Sequence, residues 1–175
     1  RDRAVTPRVE RGQGSVTGID RGIVHMTSDS QGNCEDLPWD TITSLDNKAR
    51  RLQRSQERSA KDLGFDSYHA AKKAGKNSKS SQRRDKEIAK TKAKISRVVQ
   101  DVQHKVSRSL VEENDIVAIE KLNLAGMSKK AKAKVDPNNP GEFLPNGQTA
   151  KRELNRKLRL SVLSQFGELL QYKAR

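Results

Sequence analysis

The chain has 175 residues, with 36 Lys and Arg against 22 Asp and Glu, a formal charge of +14. Hydrophobic residues make up 32% and aromatics 3%, enough for one modest core with long solvated helices attached but not for a large one. The basic excess favours nucleic acid as partner. No apolar run approaches the roughly 18 to 20 residues that span a bilayer, which argues against a membrane partner. The single cysteine, Cys34, excludes an internal disulfide and a four-cysteine zinc site within these residues.

In chain order, residues 1–15 are polar and hold Pro7, Gly12 and Gly14, which reads as a linker or lead-in. Val16 to Asp20 is a short β-prone run; Gly22 breaks it, and Ile23 to Thr27 is a second run. Ser28 to Asn33 has the composition of a hairpin turn, and a third strand is expected over Cys34 to Leu37, giving an antiparallel meander. Trp39 is expected to anchor the core by closing this meander, and Cys34 to be a small buried or half-buried side chain.

A helical excursion over 41–113 follows. Leu45, Ala49 and Leu52 share one face, with Asp40 or Thr41 as cap. A break rich in Gly, Ser and Lys covers Gly64 to Ser81. From about Gln82 to Glu113 one apolar stripe recurs through Ile88, Ile95, Val99, Val102, Val106 and Leu110, the spacing of a helix of about 30 residues. The two helices are expected to pair antiparallel as a long basic hairpin. His104 reads as a packing or helix-surface residue, and His25 and His69 as surface residues.

Ile116 to Glu120 follows directly, and its four successive apolar residues predict a strand buried on both faces, as in a parallel pair. Residues 126–149 read as a basic loop containing Lys129, Lys130, Lys132 and Lys134, and 150–174 as one helix with Leu154, Leu158, Val162, Phe166 and Leu169 or Leu170 inward. A strand meander, a helical excursion and a parallel strand open an α/β mixed sheet. An RNase H-type fold begins in this order, and so do other α/β arrangements.

Asp20 ends the first strand and Glu120 the last, each the single acid at its strand's C-terminal end. If the strands are neighbours, about 4.8 Å apart, the carboxylates emerge side by side. At about 4 Å they would repel by about 4 kcal/mol at an effective dielectric of 20, which calls for a cation. Mg²⁺ or Mn²⁺ suits oxygen ligands, and two such ions can bracket the attacking and leaving oxygens of a phosphodiester. Acids at strand ends are also commonly solvated or cap a turn, and position alone leaves that alternative open.

The cationic candidates for nucleic acid are Arg50, Arg51 and Arg54, then Lys72, Lys73, Lys76, Lys79, Arg83 and Arg84, then the four loop lysines. Between Lys72 and Arg97 there are eleven basic residues and two acidic ones, a local net of +9. Few aromatics stand there to stack on bases, so phosphate contacts would dominate and binding would weaken steeply with salt. A solvated helix face is the alternative.

Several stretches resemble the TnpB (OrfB-type) family of transposon-encoded RNA-guided nucleases, relatives of type V CRISPR effectors. V-T-G-I-D-R-G (Val16 to Gly22) is similar to its first RuvC motif, and I-V-A-I-E-K-L-N-L-A-G-M (Ile116 to Met127) to its second. Between them stand R-R-L-Q-R (Arg50 to Arg54) and H-K-V-S (His104 to Ser107); L-N-R-K-L (Leu154 to Leu158) and F-G-E-L-L-Q-Y-K (Phe166 to Lys173) come after. The resemblance spans about residues 16 to 175. Phe166-Gly167 stands where the family often has Trp-Gly, and Lys121 where an acid often follows the glutamate.

The resemblance implies an RNase H-like, RuvC-type fold, incomplete at the C-terminus, of which 16–175 is the front part. It implies Asp20 and Glu120 as catalytic metal ligands in a metal-dependent DNA endonuclease with a guide RNA and a target DNA as partners. It also implies zinc and a third catalytic aspartate only after residue 175, and a prokaryotic cytoplasmic, intracellular setting, with which one cysteine agrees. The start at Arg1-Asp2-Arg3 is read as a piece of a longer polypeptide, expected not to cut DNA alone and able to self-associate through an open sheet edge. Two other readings share the charge: a catalytically degenerate RuvC-like binding module, and a basic structural nucleic-acid-binding protein.

Overall fold

A computed structural model describes residues 14–139 and 141–174. The lead-in expected over 1–15 lies, up to residue 13, outside the described residues. The chain divides into two units, one of Arg1–Leu37 with Val102–Arg175 and one of Pro38–Asp101.

The first unit carries a four-stranded mixed sheet of order β3-β2-β1-β4. Its strands are β1 (Val16–Arg21), β2 (Thr27–Asp29), β3 (Cys34–Glu35) and β4 (Ile116–Ile119). β1 pairs antiparallel with β2, through Ile19↔Asp29 to Arg21↔Thr27, and parallel with β4, through Val16↔Ile116 to Ile19↔Ile119. The meander turns where Asp29 Oδ1 accepts from the backbone N–H of Gln31 (2.9 Å) and Asn33 (2.8 Å). Gly32 there takes φ 89°, a conformation that excludes most side chains.

Alternation in β1 buries Thr17, Ile19 and Arg21 and leaves Val16 and Asp20 exposed. β4 shows the same pleat, with Val117 and Ile119 half-buried and Ile116 57% exposed. The expectation that this strand is buried on both faces is therefore corrected. The parallel pairing is present, but only one face is covered, so an apolar run reported the pairing and not the burial. The second run is also corrected: residues 23–26 are bends, and β2 starts at Thr27. The third strand ends at Glu35, and Cys34 is exposed.

The second unit is helical. It holds α1 (Trp39–Asp62), α2 (Tyr68–Lys73) and the start of α3 (Lys79–Glu113), which passes into the first unit at Val102. α1 buries Ile42, Asp46, Ala49, Gln56 and Ala60; of the stripe expected there Ala49 is buried, while Leu45 and Leu52 are half-buried. Gln56 Nε2 donates to Ser81 O (3.2 Å) and Asp85 Oδ1 (2.8 Å), while Lys48 pairs with Glu87 at 2.5 Å. Rising numbers on α1 meet falling numbers on α3, so the pair is antiparallel. Pro38 precedes α1 without a side-chain cap, and Asp40 and Thr41 lie in its first turn, a correction to the expected cap. Trp39 opens α1 and is half-buried. The expected break at 64–81 contains α2, capped where Ser67 accepts from the Ala70 N–H.

In α3 the expected stripe is buried at Ile88, Ile95, Val99 and Val106. Polar residues share it: Thr91, Gln103 and Ser107 are all buried. The remainder of the first unit is α4 (Leu124–Met127), an antiparallel ribbon of β5 (Lys134–Val135) and β6 (Phe143–Leu144), α5 (Gln148–Ser161) and α6 (Leu163–Lys173). The basic loop thus holds a small hairpin. The single helix expected over 150–174 is two helices, broken at Val162, whose φ 48° and ψ 46° are left-handed. A β-branched residue there costs on the order of 1–2 kcal/mol. The buried Gln103 amide offsets this by donating to the carbonyls of Ser161 (2.9 Å) and Val162 (3.2 Å), the second of which also accepts from the Gln165 N–H (3.0 Å). No described helix is long and apolar enough to cross a membrane.

Candidate metal-binding carboxylate pair

β1 and β4 are parallel neighbours and their last registered pair is Ile19↔Ile119. One residue further come Asp20, still within β1, and Glu120, just past the end of β4. Registered residues of a parallel pair project from the same face. Both belong to the pleat set that includes exposed Val16 and Ile116, and both are themselves exposed. Parallel pairing continued by one residue would bring these two acids side by side on the open face, about one strand spacing apart.

Neither carboxylate takes a hydrogen bond or an ion pair among the described residues. Other acids of the first unit do. Asp29 is held below its ordinary pKa by the Asn33 side chain and by backbone N–H groups of its turn, and Asp136 by the Asn138 N–H and the Asn139 side chain. An unengaged, exposed, adjacent pair of hard oxygen donors fits a divalent ion such as Mg²⁺. Water screens their mutual repulsion, so the drive toward a cation is smaller than for buried acids. No group of three or more His, Cys, Asp or Glu is placed for a metal among the described residues.

The opposite face is built from the other motifs. Arg21, 8% exposed, donates through Nη2 to Glu120 O at 2.5 Å and through Nη1 to Leu163 O at 3.3 Å. Phe166 and Gly167 of α6 are buried. In H-K-V-S, Ser107 Oγ and the His104 carbonyl accept from Lys173 Nζ, which ties α6 to α3. Burial, with Arg108 nearby, lowers the Lys173 pKa. The His104 side chain is exposed. After Glu120, Asn123 caps α4 by accepting from the Gly126 N–H at 2.9 Å, and a Cβ on Gly126 would lie 2.9 Å from that amide. α5 closes this turn: Lys151 Nζ donates to Met127 O (2.6 Å) and Asn155 Nδ2 to Ser128 O (2.7 Å).

Arg21, Gln103, Gly167 and Lys173 were missed in the sequence as parts of this frame. One signal was available. Gln103 and Ser107 stand four apart within an otherwise apolar stripe, and buried polar groups must find partners.

The cationic candidates are placed as follows. Arg51 and Arg54 are exposed on α1, with Arg50 half-buried, along a surface groove also lined by Trp39 and Asn47. Lys73, Lys76, Lys79 and Arg83 are exposed. Lys72 is engaged by Asp85 at 2.7 Å, and half-buried Arg84 donates to Ser81. Lys129, Lys130, Lys132 and Lys134 are exposed. The Pro38–Asp101 unit has seventeen basic and eight acidic residues, a net of +9 out of the chain's +14. His25 is a surface residue hydrogen-bonded to Asp36 at 2.8 Å, and His69 is exposed.

A family model, OrfB_IS605, described as a probable transposase, matches residues 4–131. No curated protein matches the chain.

Proposed function

From the premise that the chain belongs to the OrfB_IS605 family of probable transposases, we propose that it carries part of a RuvC-like, RNase H-type catalytic core for a metal-dependent, RNA-guided DNA endonuclease. The observation that carries this reading is the parallel β1–β4 pairing, whose last registered pair, Ile19↔Ile119, comes one residue before each acid. The sheet order β3-β2-β1-β4 supports it, since an antiparallel meander joined to a parallel strand is how an RNase H-type sheet begins.

In this reading Asp20 and Glu120 are two ligands of a divalent site, and the family resemblance supplies a third aspartate after residue 175. Mg²⁺ bound there would neutralise charge on a phosphodiester and lower the pKa of an attacking water. The chain's own work is to hold the two carboxylates preorganised, Asp20 on β1 and Glu120 just past β4. The exposed lysines and arginines of α1, α2, α3 and the β5–β6 ribbon would hold backbone phosphates of guide RNA and target DNA. Sequence reading would fall to base pairing.

The test is cleavage of a guide-matched DNA by the full-length protein. Loss of cutting in Asp20→Asn and Glu120→Gln, with guide RNA still bound, is the expected result. Undiminished cutting in either variant contradicts the proposal.

A further inference from the structure

Arg21 follows Asp20 but faces the other way. It lies on the covered side of β1 with Thr17 and Ile19, nearly out of water. A buried guanidinium is costly unless its donors are used. Arg21 has no carboxylate partner among the described residues. Its hydrogen bonds go to two main-chain carbonyls, Glu120 and Leu163, and its Nε–H has none.

Glu120 stands just past the registered β1–β4 pairs, so the ladder does not pin it. The 2.5 Å bond from Arg21 does, from beneath the sheet. α6 is shaped around that reach. A Cβ on Gly167 would lie 2.9 Å from Arg21 Nη1 and 3.7 Å from Ile119 Cδ1. Glycine is a poor helix former, yet it occupies the point where the guanidinium crosses the helix.

We propose that Arg21 is a positioning residue that holds the main chain of Glu120 beside Asp20, and that Gly167 keeps its path clear. The inference rests on the reading of Asp20 and Glu120 as a cation site and deepens it. Arg21 acts through Glu120 and does not itself touch the ion.

Gly167→Ala tests it with the charge unchanged. The atom displaced is the far end of a flexible side chain, so the guanidinium moves before the backbone does. Arg21→Lys also keeps the charge but loses the two-pronged reach. The probe is Mn²⁺, titrated into the 175-residue protein and followed by electron paramagnetic resonance. The Glu120 carbonyl carbon is read by NMR in the metal-free state.

In both variants Mn²⁺ affinity is expected to fall about tenfold or more, as when groups that orient metal ligands are removed. The Glu120 carbonyl resonance should move upfield as its hydrogen bond is lost. Gly167→Ala should lower the Tm less than Arg21→Lys does, because the better helix former offsets part of the lost hydrogen bond, yet it should lose Mn²⁺ affinity to the same extent; a merely structural Arg21 would make affinity follow stability. Wild-type affinity and an unmoved carbonyl resonance in Gly167→Ala overturn the positioning role alone. Mn²⁺ binding that survives both Asp20→Ala and Glu120→Ala overturns the cation-site reading, and the positioning role with it.

Discussion

Asp85 in the helical unit and the Asp20–Glu120 pair on the sheet are both acids amid excess positive charge, and the molecule treats them in opposite ways. Asp85 accepts from Lys72 (2.7 Å), Tyr68 Oη (2.7 Å) and Gln56 (2.8 Å). Its burial raises the pKa, but these three donors outweigh it and the carboxyl titrates below its ordinary value. Tyr68 is pushed up to about 12, by burial first and then by Asp85. Such a carboxylate is consumed in tying α2 and α1 to α3. Asp20 and Glu120 tie nothing together. An acid with a full set of donors is structural, and an adjacent pair with none is available to a ligand.

The sharpest break of this contrast is an exchange of phenotypes. Asp20→Ala and Glu120→Ala should each weaken Mn²⁺ binding by about 100-fold or more, while changing folding stability by no more than about 0.5 kcal/mol, as for exposed residues. Asp85→Ala should do the reverse. Isothermal titration alongside chemical denaturation reads both. A destabilised Asp20→Ala would make that acid structural and blur the distinction.

The charge of the helical unit gives a second test. Replacing Lys73, Lys76, Lys79 and Arg83 together by Ala should lower the slope of log affinity against log salt for RNA or DNA by about 3, at about 0.7–0.9 per phosphate contact. An unchanged slope would make these residues a solvated face.

Within the folded frame the effects are smaller. Asp85→Asn should cost about 1.5–3 kcal/mol, the range for hydrogen bonds to a charged group. Because the folded-state pKa is depressed, that stability is present in full above the ordinary value of 3.8 and is lost as pH falls through the lower, folded value. The difference between wild type and Asp85→Asn should therefore hold from neutral pH to about 4 and shrink only below that. Gln103→Leu should cost about 1–3 kcal/mol by leaving the Ser161 carbonyl without its buried side-chain donor. Smallest is Lys48→Ala: its partner Glu87 is 42% exposed, and such pairs contribute about 0–1 kcal/mol.

The sequence made the long elements legible because their signals are periodic. The stripe from Ile88 to Val106 and the run Ile116 to Ile119 both fall where expected. The sequence set adjacency of the strands ending near Asp20 and Glu120 as a condition, and β1 and β4 do pair in parallel. What stayed illegible depended on tertiary contacts. Val162 breaks a helix without glycine or proline where the Gln103 side chain, distant in sequence, donates to the carbonyls of Ser161 and Val162. Ile116 looks like an interior residue, yet it is 57% exposed, because hydrophobicity does not say which faces are covered. Short elements such as α2 and the β5–β6 ribbon are too brief to show a period. The burial of Arg21 carries no sequence signal of its own, because α6 supplies it.

The most direct test is Mn²⁺ titration of isotope-labelled protein, read by paramagnetic broadening of backbone amide resonances. The first signals to broaden should be those of residues 19–22 and 119–122, and Glu120→Gln should abolish that early broadening. Broadening that begins instead at Asp29 or Asp136, or spreads evenly over the acidic residues, would contradict the account.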